Sequence, residues 1–393
     1  MFDKLRSLFL KKQKRSDELV NGIDFLLNDK IKAEELSAVI AAISNISETI
    51  ASLPLNLYQK TSDGSKLATN HPLFHLIKIA PNEKMTPFTL FEAFMVQMLI
   101  YGNGFLYPLR KRNGQIHSIE LLEHKDINLF KQNGKYYYQA YSNNKSIVLN
   151  YDEVVNVPYH TKDGVLGIAP LRKSKNTAEL ASAIEQHGLS FFKNGSFTSG
   201  VISIPTELSD EAYQRLKTSF KENYNQKKAY NISILESGAT YAQTTSANKD
   251  SQFIESKQFQ VIEIARLFNI PPHKLGDLSR ATFSNIEQQE TNYMVQTITP
   301  LTTKIEQALN RFLLSKEEWG RFYFKFNINA ILRADSSSRW ESYTKALSNG
   351  VMSINEVRAL EEMNPIDNGN DHLIPLNLIK IDQKDTQKEK DNA

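Results

Sequence analysis

The chain has 393 residues, enough for two or three packed units, and an ordinary apolar share of 40%. Its 47 basic and 44 acidic residues leave a formal charge of +3, far from the strong basicity of a protein that grips nucleic acid through many neutralised phosphates. Without cysteine it has no disulfide scaffold, Cys-based zinc site or cysteine nucleophile, which suits assembly in a reducing cytoplasm. No apolar run approaches the ~20 residues of a membrane span. Met95 to Tyr101 is the most apolar stretch, and Leu8-Phe9-Leu10 is cut off by Lys11 before it could make a signal-peptide core.

Residues 1–24 form a basic, weakly amphipathic arm with Lys4, Arg6, Lys11, Lys12, Lys14 and Arg15. Two readings are open: a contact with DNA, lipid or a neighbouring subunit, or a solvated terminus. Glu34 to Ser52 has helical periodicity, with Leu36, Val39, Ile40, Ile43, Ile46 and Ile50 on one side. Pro54 ends it, Leu55 to Tyr58 alternates as a strand, and Asp63-Gly64 is a turn. Pro87 to Tyr101 predicts a strongly apolar helix broken by Gly102 and Gly104. Phe105–Arg110, Ile116–Leu122, Tyr136–Tyr141 and Val154–Val157 read as strands, with hairpin turns at Asn113-Gly114 and Asn133-Gly134.

Pro170 to Phe192 predicts one helix stopped by Asn194-Gly195, and Val201–Ile204 a short strand. Leu208–Tyr224 is helical after Ser209-Asp210-Glu211. Ile232–Leu235 and Thr240–Gln243 suggest two strands around Ser237-Gly238. Ser251 to Phe268 is the next helix. It runs into Ile270-Pro271-Pro272, where proline disfavours helix before it and cannot donate a backbone hydrogen bond. A polar loop follows to Phe283. Ser284 and Asn285, ahead of Glu287, Gln288 and Gln289, suggest the N-cap of a long helix to Leu314. Phe322–Phe326 alternates as a strand, Ser337–Leu347 and Ile354–Met363 are short helices, and residues from Asp382 on have the composition of a disordered tail.

Catalytic signatures do not assemble. Gly195 to Gly200 has the first spacing of a phosphate loop, but Val201-Ile202 stands where Lys-Ser/Thr is required. His71 and His75 lie four apart, with Pro72 between them and no acidic partner of a metalloprotease pattern. No GxSxG elbow or strand-linked GxGxxG is present. A nucleotide- or phosphate-using enzyme would need a convergent ionisable cluster, and a head–tail adaptor would be shorter.

The ordered landmarks resemble the HK97-like portal proteins of tailed bacteriophages. Tyr101-Gly102-Asn103-Gly104-Phe105 is similar to the family's YGNAY-like segment. Asp163-Gly164-Val165-Leu166-Gly167-Ile168-Ala169-Pro170-Leu171 is similar to its DGxxGxSPL-like turn, and Phe191-Phe192-Lys193-Asn194-Gly195 with Ser199-Gly200 to FFxNGxxxSG. Leu235-Glu236-Ser237-Gly238, Leu332-Arg333-Ala334-Asp335 and Met352 to Arg358 resemble further landmarks, so that the likeness spans roughly residues 35–378. Gly104 and Ala169 stand where the family often has Ala and Ser.

The resemblance implies an α+β portal fold: a mixed α/β wing at 25–207, a stem helix at 208–224, a clip at 225–250, and a second stem helix at 251–269. A tunnel loop at 270–284, a long helix and wing strand at 285–336, a short helical crown at 337–378 and a tail at 379–393 would follow. It further implies a homo-oligomeric ring, usually a dodecamer, at one capsid vertex, assembled in the bacterial cytoplasm. Double-stranded DNA would pass through it without sequence readout. Its partners would be the terminase large subunit, a head–tail adaptor and the major capsid protein, with no cofactor, metal, membrane or catalysis.

Three site expectations follow. Lys274 and Arg280, the cations of the tunnel loop, either touch DNA phosphates transiently or brace the loop through Asp277 or a neighbour. Lys227, Lys228 and Tyr230 in the clip either dock a partner or belong to a solvated loop. Ile286, Tyr293, Val295, Ile298, Leu301, Ile305, Leu309 and Phe312 spread over more than one helix face. One face would then pack on the wing and the other on the next subunit, with a core helix inside one domain as the alternative.

Overall fold

The computed structural model describes residues 36–62, 64–142, 145–193, 200–205, 208–224, 240–243, 248–279, 283–328, 336–361 and 363–372. The basic arm, the clip residues Lys227, Lys228 and Tyr230, Arg280 and the tail lie outside them. The chain divides into two units, 1–327 and 328–393.

In the first unit α1 (Ser37–Ser52) buries Val39, Ala42, Ile43, Ile46 and Ile50 against α3 (Pro87–Tyr101). α3 begins with Thr86, whose hydroxyl accepts from the Thr89 N–H at 3.2 Å, and Pro87 supplies the preset φ of a first turn. Leu90, Phe91, Phe94, Met95, Met98 and Leu99 are all buried, so the most apolar stretch of the sequence is a core helix. Gly102 closes it with φ 94°, a conformation natural to glycine.

The same unit holds three antiparallel sheets of three strands. β1 (Leu55–Thr61) lies between β2 (Gly64–Leu67) and β13 (Phe322–Phe326). Leu57 faces Phe324 across that ladder, and Tyr58 stacks on Tyr323 at 5.5 Å. The two strands lie at opposite ends of the unit's sequence, and their buried aromatic and aliphatic pairs close it. β3 (Asn103–Arg110) is flanked by β4 (Ile116–Leu121) and β8 (Val155–Pro158), while β5 (Ile127–Gln132), β6 (Lys135–Ser142) and β7 (Lys145–Asn150) form a meander. Asn133 and Gly134, at φ 49° and 78°, make the two-residue turn that the sequence announces. β5 and β7 were not foreseen, because their polar residues, including Asn128, Lys131 and Gln132, blur the alternation.

α2 (Pro72–Lys78) uses His71 as its cap: Nδ1 accepts from the Leu73 N–H at 3.2 Å and Nε2 lies 2.8 Å from Glu318. β9 (His160–Thr161) pairs with β10 (Gly167–Ile168). The single helix expected from Pro170 breaks at Ser174, with φ −130° and ψ 68°, into α4 (Pro170–Lys173) and α5 (Lys175–Lys193). Serine there offers its hydroxyl to Thr177 at 2.8 Å, a local bond that favours a helix end over a helix interior. β11 (Gly200–Ser203) pairs with β12 (Thr240–Gln243), whereas the strand expected at Ile232–Leu235 lies outside the described residues.

α6 (Asp210–Tyr224) starts after Ser209, whose hydroxyl accepts from the Ala212 N–H at 3.3 Å. α7 (Asn248–Phe268) begins three residues before its expected start. The long helix expected after the proline loop is interrupted: α8 (Phe283–Tyr293) gives way to a π turn at Met294–Ile298 and then α9 (Thr299–Phe312). Ser284 therefore lies inside the helix rather than capping it. Pro300 explains the interruption, since it has no N–H for the carbonyl four residues back. The Thr299 N–H reaches back five residues to Met294 O instead.

The second unit contains α10 (Ser336–Ser348) and α11 (Ile354–Leu360). Ser353 and Glu356 form a reciprocal capping box. Glu361 is ion-paired with Arg339, whose Nε lies 3.1 Å away, and accepts from the Tyr343 hydroxyl at 2.9 Å.

Candidate functional site

The loop after α7 is built from its two ends. Asn269 takes the left-handed conformation, φ 54°, that ends the helix, and the Ile270 N–H reaches Ala265 O at 2.9 Å. Pro271 is extended, Pro272–Leu275 is a short 3₁₀ turn, and Gly276 closes it at φ 86°. Asp277 then accepts the Ser279 N–H at 3.0 Å, an Asx turn.

Its first part is tied to the interrupted helix at two points. Asn269 Nδ2 donates to Gln296 O at 3.3 Å and to Thr297 Oγ1 at 3.1 Å, and the Thr297 hydroxyl donates to Asn269 O. Gln296 O is the carbonyl that Pro300 cannot serve, so the loop supplies the donor that the helix lost. Asn269→Gly should keep the backbone conformation, lose these side-chain bonds and cost about 1–2 kcal/mol, read as a lower midpoint in urea melts.

Further along, His273 Nε2 lies 2.9 Å from Glu290 Oε1 and Nδ1 lies 2.9 Å from Gln289 Oε1. A carboxylate only accepts, so Nε2 carries a proton toward Glu290. Lys274 Nζ meets the same Glu290 oxygen at 2.9 Å and sits 4.8 Å from the centre of the Tyr293 ring. Burial pushes the Glu290 carboxyl upward, but hydrogen bonds from Lys274 and His273 outweigh it and hold the pKa below the usual range. Burial raises the Tyr293 phenol.

Because the folded pKa of Glu290 is depressed, its contribution to stability is present above the unfolded carboxylate pKa. It is lost as pH falls through the folded one. Glu290→Gln should cost about 1 kcal/mol near neutral pH, given a carboxylate side chain 40% exposed and partly screened by water. It should cost little in acid. Thermal melts of both chains against pH check this.

Lys274 is thus engaged by Glu290 and Tyr293, the bracing geometry, with Glu290 the neighbour that pairs with it. The helix residues are corrected more firmly. Tyr293 is 2% exposed, Ile298 0%, Leu301 5% and Ile305 0%, and Leu309 and Phe312 are buried as well. These side chains belong to the subunit's own core and are not free to face a neighbour; Ile286 is half-buried. The π turn re-phases the apolar stripe, so that residues which scatter over two faces of a regular helix bury on one subunit. Val295, 60% exposed, is the apolar side chain it leaves outward. Asn269, Thr297, His273 and Glu290 were missed as a cluster, although Pro300 inside a helical pattern was a visible sign of a freed carbonyl.

A second constellation joins two distant sequence landmarks. Asn103, just after α3, donates from Nδ2 to Asn156 Oδ1 at 2.7 Å and Val165 O at 3.1 Å, and its Oδ1 accepts the Gly167 N–H at 2.8 Å. Asn156 Nδ2 also donates to Val165 O, at 3.0 Å. Asn103 and Asn156 are both buried. A Cβ on Gly102 would lie 2.6 Å from Gly167 O, and one on Gly104 2.5 Å from the Phe94 ring. The short segment after α3 and the Asp163–Leu171 turn are therefore one structural knot. Among the described residues no group of three or more His, Asp or Glu could hold a metal ion.

Residues 37–362 match the family described as phage portal protein. The chain is 27% identical to the portal protein of Enterobacteria phage HK97 over 94% of its own length and 88% of that protein's. It is 29% identical to the probable portal protein of Streptomyces phage phiC31, over 90% of its own length and 80% of that protein's. Among solved structures, an HK97-family phage portal protein from Corynebacterium diphtheriae superposes with a TM-score of 0.58 at 18% identity, covering 77% of this chain and 96% of that one. A chain in the neck of an empty gene transfer agent particle gives 0.59 at 21% identity, covering 84% and 90%.

Proposed function

Since this chain belongs to the phage portal protein family, matched over residues 37–362, we propose that it works as a closed ring at one vertex of a capsid. Portal proteins are structural, and this one supplies the channel rather than the energy of DNA movement. The ring passes double-stranded DNA inward during packaging by a terminase and outward at ejection, and it holds head-completion proteins. It assembles in the host cytoplasm and resides in the particle. Support for a ring comes from a similar chain in the neck of a gene transfer agent particle computed with C12 symmetry, at a TM-score of 0.56. Such an interface is head-to-tail, so each subunit carries two different complementary patches.

In this reading residues 25–207 and the strand at Phe322–Phe326 are the wing. Helices α6 and α7 are the stem, 225–250 the clip, 270–284 the tunnel loop and 337–378 the crown. The observation that carries the loop assignment is its double anchorage. Asn269 fixes the start of the loop to the π turn, and His273 with Lys274 fix its first turn to Glu290. Lys274 braces, and Arg280 is the loop cation that meets phosphates. Lys227, Lys228 and Tyr230 form the clip surface for terminase or adaptor.

Electron microscopy of the purified chain tests the reading. Rings with a central channel, most of them twelvefold, are expected. A folded monomer that makes no rings at any concentration would overturn it.

A further inference from the structure

Three elements of the first unit bring basic side chains together away from the proline loop. β9 begins with His160, which faces Ile168 across the β9–β10 ladder. Two residues on from Ile168, α4 starts, and it ends at Lys173. α9 packs against β8, the strand just before His160, and contributes Lys304. The Lys304 ammonium donates to Tyr159 O and sits 5.9 Å from the centre of the Tyr159 ring. That ring is 4.7 Å from the ring of His160. Lys162 follows on the same hairpin.

The basic side chains of this surface are not ion-paired with neighbouring carboxylates: among the described residues none of His160, Lys162, Lys173 and Lys304 is in an ion pair. The carboxylate on the hairpin, Asp163, accepts from the Val165 and Leu166 N–H groups at 2.9 and 2.8 Å and from the Thr161 hydroxyl at 3.1 Å. Its oxygen is therefore committed to the turn. Burial lowers the pKa of His160, and the charges of Lys173 and Lys304 lower it further; burial also lowers that of Lys304. A half-buried ammonium fixed by a carbonyl and an aromatic face, beside an exposed lysine and an exposed histidine, lacks only an anion.

We propose that His160, Lys173 and Lys304 form a phosphate-binding site that takes the backbone of a nucleic acid. Lys304 is the preorganised point charge, and Lys173 and His160 complete the cradle. Lysine and histidine donors of this kind hold a phosphodiester without reading bases. The choice of nucleic acid over an acidic protein rests on the proposed portal function. A site of so few cations binds weakly, on the order of 10 µM, and loosens with salt, which lets DNA pass.

The test uses the full chain and a short fluorescein-labelled duplex of mixed sequence, with binding followed by anisotropy over a salt series. Lys173→Gln with Lys304→Met should weaken binding roughly tenfold at low salt and flatten the slope of log K against log salt by about 2. Methionine keeps the stem of residue 304 packed on Tyr159, and Lys304→Arg should restore most of the affinity. Each chain is checked by thermal melt, and Lys173→Gln alone, at an exposed position, should flatten the slope by about 1. Unchanged affinity and slope in the folded variants would overturn the proposal. So would a wild-type chain that binds poly-glutamate through these lysines in preference to the duplex. Ring formation is scored on the same samples: absent rings with the slope change intact would count against the ring and leave the phosphate site standing.

Discussion

Gly167→Ala should cost about 4 kcal/mol or more, at the severe end for a single methyl group, and lower the thermal midpoint by roughly 10 °C. The reason is local and steric. A Cβ at Gly167 would run into the carbonyl of Gly102, with the Asn103 side chain also within contact. The obstruction is backbone, held on one side by the C-cap of α3 and on the other by the β9–β10 ladder, so neither side yields cheaply. Circular-dichroism melts of purified protein measure the shift. A midpoint within 2–3 °C of the parent, about 1 kcal/mol, would show that the two backbones separate easily and that the knot is not rigid.

Asn103→Asp should be almost as severe, at about 3 kcal/mol, although the side chain hardly changes shape. In the parent, Nδ2 donates to two oxygens, Asn156 Oδ1 and Val165 O, while Oδ1 accepts the Gly167 N–H. A carboxylate keeps the last bond and turns the other two into oxygen-to-oxygen contacts at a site only 4% exposed. Burying a charge among acceptors costs far more than a lost neutral bond. Urea melts at neutral and mildly acidic pH check the cause. A carboxyl among acceptors titrates above its unfolded value, so the variant should recover stability as pH falls through that raised pKa. A penalty that stays constant across this range would assign the loss to packing instead.

Much of the element order was open to reading along the chain. α1 and α3 show apolar periodicity or saturation, Thr86-Pro87 and Gly102 punctuate α3, and Asn133-Gly134 can hardly be other than a tight turn. These are local signals: φ preference, a missing N–H, the spacing of buried side chains. The α+β class and the family followed from their order. β5 and β7 escaped because half of their residues are polar and do not alternate cleanly with the apolar ones; the ladder, rather than the strand's own pattern, holds each. The break at Ser174 escaped because a serine in a helical window is a weak stop unless its hydroxyl finds a local partner, as it does at Thr177.

The sites divide along the same line. Composition and spacing alone excluded cysteine chemistry and a Walker loop, and the double proline located the loop between α7 and α8. That Lys274 would meet Glu290 required the loop to fold back onto a helix whose start it precedes. That Tyr293, Ile298, Leu301 and Ile305 all turn inward depended on a π turn, which shifts the helical phase by a fraction of a turn and cannot be seen in a periodicity count. Pairing of β1 with β13, the meeting of Asn103 with Gly167, and the convergence of His160, Lys173 and Lys304 were decided by tertiary structure alone. Each joins residues whose separation in sequence carries no local signal, and only the burial of the apolar surface between them brings them together.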